Sequence, residues 1–107
     1  EHRIALVTNK ETRFVKTEEI IRCESSNNYT NIFITDGTQL LVSRPIFQFE
    51  EMLTGYGFVR CHQSHLVNKI YIKSWIREDG EFLLIKNGER VPISRNKRNV
   101  VKEALIS

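Results

Sequence analysis

A chain of 107 residues is one domain with room for one modest core. Sixteen Lys and Arg against thirteen Asp and Glu give a net charge of +3, which alone is weak support for a polyanionic partner. Its 40% apolar and 27% charged residues exclude a disordered chain, and no apolar run approaches a membrane span, so a membrane partner is not expected. Residues 1–7 (EHRIALV) read as a strand closed by a turn at Thr8-Asn9-Lys10, and residues 13–16 as a second strand. Thr17-Glu18-Glu19 fits a single helical turn, and residues 20–24 (IIRCE) a third strand, followed by the small-polar connector Ser25-Ser26-Asn27-Asn28. Asp36-Gly37 is the strongest hairpin signal and joins a strand over 29–35 to one over 38–43.

Ser43-Arg44-Pro45 marks a helix start, with Ser43 or Arg44 as cap and Pro45 first in the helix. Ile46, Phe49, Met52 and Leu53 share one face of that helix, and Gly55 and Gly57 stop it. Residues 58–72 (FVRCHQSHLVNKIYI) thread apolar anchors with polar heads, as in a strand and turn pinned to a core that presents polar groups outward. Strands over 71–77 and 81–86 flank Glu78-Asp79-Gly80, and the turn Asn87-Gly88 leads into residues 89–94 (ERVPIS). Pro92 assigns that last strand to a sheet edge or a bulge. A final helix over 96–106 should turn Val100, Val101, Ala104 and Leu105 inward. Many short strands with Gly turns and two short helices predict a β-rich α+β fold, and nothing alternates in the strand–helix order of a parallel sheet.

Cys23 and Cys61 are far apart with no CxxC spacing, which predicts reduced thiols in a cytoplasmic protein, without a disulfide scaffold. Cys61, His62 and His65 raise a metal or nucleophile site. On one strand, however, Cys61 and His65 point to one face and His62 to the other, and no second Cys/His pair completes a zinc site. No catalytic residue, metal or cofactor is therefore expected. The chain opens on Glu1, not Met, which suggests a domain cut from a longer protein, with the missing part upstream.

Nucleic-acid binding draws on three separate stretches. Arg95, Asn96, Lys97, Arg98 and Asn99 follow the edge strand, with Lys102 one turn on. Basic residues in a first helical turn, where acids are usual, break a local rule, as functional sites tend to do. Phosphate contacts are expected from Arg60, Ser64, Lys69, Lys97, Arg98 and Lys102. Base reading is expected from Arg95, Asn96, Gln63, His62, Asn28, Thr30 and Asn31, since Arg suits guanine and amides suit adenine. A rival from another class is a protein-interaction module that pairs a partner strand with the edge at 89–94. Thiol redox control through Cys61 is a lesser addition to the DNA-binding reading.

The pattern Phe58-Val59-Arg60-x-His62-x-Ser64-x-x-Val67-Asn68-x-x-x-Ile72, followed by Val91-Pro92-Ile93-Ser94-Arg95, resembles the LytTR DNA-binding domain. The likeness extends upstream through residues 20–24, Asn27-Asn28-Tyr29, Asp36-Gly37 and the helix at 46–53, so it covers nearly the whole chain. It implies an elongated stack of mostly antiparallel sheets, loops that enter successive DNA grooves, and a role as the output half of a bacterial two-component response regulator. It also implies two copies on direct-repeat promoter sites, brought together by a receiver domain. By the same likeness, Asn27–Asn31, His62–Ser64 and Arg95–Arg98 are the DNA-facing positions. Gln63 stands where many relatives carry a basic residue, and His65 where an aromatic is common, so His65 reads as a packing substitute.

Overall fold

The computed structural model describes residues 2–106. Three antiparallel sheets follow one another in space. The first is a hairpin of β1 (Arg3–Val7) and β2 (Thr12–Lys16). The central sheet has five strands in the order β5-β4-β3-β7-β6, with β3 at Ile20–Ser26, β4 at Tyr29–Ile34, β5 at Gln39–Val42, β6 at Phe58–His62 and β7 at His65–Asn68. The third has the order β10-β9-β8, with β8 at Ile72–Arg77, β9 at Glu81–Ile85 and β10 at Arg90–Pro92. Helix α1 (Ile46–Leu53) and helix α2 (Arg98–Leu105) complete the β-rich α+β fold. The long axis of 40 Å is less than twice the shortest, 24 Å.

Strand alternation gives the central sheet two buried faces. Phe58 and Leu66 join one core with Leu6, Val15, Ile20, Ile32, Phe49 and Leu53, under α1 and the first hairpin. Val59, Cys61 and Val67 join the other with Leu83, Ile85, Val91 and Val101, under the third sheet and α2. Each fully buried Leu, Ile or Phe contributes roughly 1.5–3 kcal/mol of apolar transfer. Two polar groups lock these layers. Asn68 is buried, and its amide donates to Ile20 O at 2.9 Å while its carbonyl accepts from Ile70 N–H at 3.3 Å. Arg22 is also buried. It lies 3.8 Å over the Phe33 ring and binds Glu24 at 2.8 Å and Glu89 at 3.2 Å, joining the central sheet to the turn before β10.

Several boundaries differ from the sequence expectation. β3 runs on to Ser26, so the expected connector shrinks to a two-residue hairpin at Asn27-Asn28, with Asn27 in the left-handed region at φ 59°. That conformation suits Asn, whose short side chain tolerates it. Pro45 caps α1 from outside, and Ile46, Phe49 and Leu53 are buried on the expected face. The last helix is split into a 3-10 turn over Arg95–Lys97 and then α2. Val101 is buried and Ala104 and Leu105 pack beside it, but Val100 lies about a quarter-turn off that stripe and is 48% exposed.

Candidate nucleic-acid interface

Antiparallel pairing fixes which turns share one end of the central sheet. Glu24 opposite His65 brings the end of β3 beside the start of β7, and the Ser25 N–H donates to Ser64 O at 2.9 Å. The Asn27-Asn28 and Gln63-Ser64 turns are therefore neighbours. On the other side, the Ser94 N–H donates to Cys61 O at 3.0 Å, which sets the Arg95–Lys97 turn against the end of β6. Three stretches far apart in sequence thus line one rim in the order Asn28, Ser64, His62, Arg95. Asn28, Gln63, Arg95 and Asn96 are exposed there, and His62 and Ser64 half-exposed.

Local bonds stiffen this rim. His62 Nδ1 accepts from the Ser64 N–H at 3.0 Å, and the Ser94 hydroxyl donates to the Asn96 side-chain oxygen at 2.8 Å. A bulge at Cys61 puts His62 opposite His65, so the two rings share a face with centroids 5.2 Å apart. The expectation that they point apart fails because it treats residues 61–65 as one unbroken strand. His65 is half-buried, and burial pushes its pKa down to about 4 despite Glu24 nearby. It packs as a neutral ring.

The expected site residues divide into groups. Thr30 is a correction: it lies in β4, not in a loop, and is fully buried, with its hydroxyl donating to Arg44 O at 2.7 Å. It has no surface to offer a base. Asn31 is half-exposed but sits on the sheet face between Glu24 and Leu41, set back from the rim. Arg60 has a structural task at the rim. Its guanidinium binds Glu50 at 2.6 Å, His62 O at 3.0 Å and Gln63 O at 2.5 Å, which makes it a clamp on the turn with three of its five N–H donors engaged. Lys69 is exposed but lies beyond Asn68, at the opposite end of β7 from the turn, so the rim does not include it. Arg98 is half-exposed and paired to Glu81 at 2.5 Å, while Lys97 is half-exposed and Lys102 exposed on α2 one turn from Arg98.

Arg44 was missed as a rim residue. Thr30 opposes Val42, so β5 ends beside Asn28 and carries exposed Ser43 and Arg44 to the same rim. The Asp36-Gly37 hairpin could have signalled it, because a tight hairpin returns its second strand to where the first began.

Other chemistry finds little here. Among the described residues no three His, Cys, Asp or Glu side chains gather to hold a metal. Cys61 is buried, its thiol reaches Pro92 O at 3.6 Å, and burial pushes its pKa up to about 12, conditions that suppress the reactive thiolate. β10 is an edge strand as expected. At its C-terminal end the outward groups are engaged, since Pro92 lacks an N–H, Pro92 O accepts from the Cys61 thiol, and Ser94 N–H binds Cys61 O. No helix among the described residues is long and apolar enough to cross a membrane.

A strand-built rim of amide, hydroxyl, imidazole and arginine groups defines a DNA-binding module that presents turns in place of an inserted helix. Residues 10–106 match the LytTr DNA-binding domain family, and the chain belongs to it. Over 108 residues it is 29% identical to the sensory transduction protein LytT of Bacillus subtilis (strain 168), covering 98% of this chain and 44% of that protein. The chain thus spans less than half the length of that relative. Its fold matches, at a TM-score of 0.84 and 24% identity, the LytTr DNA-binding domain of a protein described as a methyl-accepting/DNA response regulator of Bacillus cereus, over 100% of this chain and 99% of that one.

Proposed function

We propose that this LytTR domain binds promoter DNA sequence-specifically through its rim, as the transcriptional output of a cytoplasmic two-component response regulator without catalysis of its own. The observation that carries this is the hydrogen-bonded row from Ser25 through Ser64 and Cys61 to Ser94, which gathers three polar stretches on one edge. Arg95 and Gln63 read bases with Asn28, Asn96 and His62, while Ser64, Lys97, Arg98 and Lys102 hold phosphates. The relatives' descriptions as a sensory transduction protein and a response regulator support the output role. Two copies act on direct repeats, held together by a receiver domain elsewhere in the full protein, which raises the effective concentration of the second domain.

Mobility-shift titrations over a salt series test this. Arg95→Ala should relax base preference at a cost of roughly 1–3 kcal/mol, while Lys97→Ala weakens all sequences alike and flattens the salt slope by about 0.9. Unchanged affinity and preference in Arg95→Ala would refute the assignment of base reading to that residue.

A further inference from the structure

We infer that Arg44 is a further DNA contact at the far end of the rim, and that the buried hydroxyl of Thr30 positions it. The inference rests on the DNA-binding reading and extends it to the one rim segment that the sequence patterns leave out. Two other arginines of the central sheet are packed against carboxylates: Arg22 binds Glu24 and Glu89, and Arg60 binds Glu50. Arg44 and Arg95 are both exposed and enter no ion pair among the described residues. They stand at opposite ends of the same row.

The spacing suits a duplex. From β5 to the segment beyond β6 there are five inter-strand steps of about 4.8 Å, so the two arginines are on the order of 24 Å apart, within one ~34 Å turn of B-DNA. Arg44 is also held, because its N–H donates to Val42 O at 2.9 Å and its carbonyl accepts from Thr30. Thr30 is fully buried in β4, beside the Asn27-Asn28 turn. A buried hydroxyl bonded to the backbone of an exposed, unpaired arginine lowers the entropy lost when that arginine engages a phosphate.

The test is a salt series on one duplex with the native domain, Arg44→Ala, Thr30→Val, Thr30→Ser and, as a control at the other end of β10, Arg90→Ala. Arg44→Ala should flatten the slope of log affinity against log salt by about 0.9 and weaken binding several-fold at low salt. Thr30→Val, which keeps the shape and loses the hydroxyl, should weaken binding several-fold at a temperature well below its melting point. Thr30→Ser should restore it, and Arg90→Ala should match the native slope. Native binding with an unchanged slope in Arg44→Ala overturns the Arg44 contact. A weakened Arg44→Ala with unaltered binding in Thr30→Val overturns the positioning role. Failure of the native domain to bind any duplex at low salt is a different result, and it overturns the DNA-binding reading itself.

Discussion

Arg60→Met separates a turn clamp from a phosphate contact, because it keeps most of the stem and removes every donor. Arg60 makes three bonds, to Glu50, His62 O and Gln63 O, and its side chain is 14% exposed. A bond from a charged donor is worth roughly 1.5–3 kcal/mol. Bonds that share one guanidinium do not add, and the Glu50 end is part-solvated, which brings the three together to about 2–3 kcal/mol. For a domain of this size that lowers the melting temperature by on the order of 10 °C and the urea midpoint by about 1–2 M. Urea unfolding followed by the fluorescence of the single Trp75 provides the assay. The native and variant domains should share one salt slope for DNA binding, since no phosphate contact is lost. A variant as stable as the native domain, with a slope flatter by about 0.9, would refute the clamp and restore Arg60 to the phosphates.

Asn68→Leu removes the amide that satisfies Ile20 O inside the core, and should cost about 2–3 kcal/mol in a thermal melt; a loss below about 0.5 kcal/mol would contradict its structural role. His65 gives a pH dependence with a defined sign. The unfolded chain takes up its proton near pH 6.5, whereas the folded chain holds none until about pH 4, so stability is level above 6.5 and falls as pH drops through that window. The fall is at most about 3 kcal/mol. His65→Phe should flatten that stretch of the stability curve, and an unchanged curve would assign the acid sensitivity elsewhere.

Much of the fold was legible because short strands, Gly turns and Pro92 follow local rules. The edge position of β10 and the buried face of α1 are examples. What local rules could not supply was pairing across distance. Thr30 looks like a surface hydroxyl because it stands just after the Asn27-Asn28 turn, yet on β4 it falls on the inward side of the strand and is fully buried. Arg60 looked like a free cation because its carboxylate, Glu50, comes from α1 across the chain reversal at Gly57, whose φ of 88° favours glycine. Arg44 was hidden for the opposite reason: read as a helix cap, it stands at the rim only once β5 is paired with β4. The residue types at the site could be read from the chain, but their accessibility depended on partners distant in sequence.

Selection of bound sites from a random duplex pool, run in parallel with the native domain and Arg95→Ala, tests sequence-specific DNA reading by the rim. One enriched motif is expected for the native domain, with preference lost at a guanine-containing step for Arg95→Ala and affinity reduced by roughly 1–3 kcal/mol. Recovery of no motif by the native domain, or of an identical motif by both proteins, would contradict it.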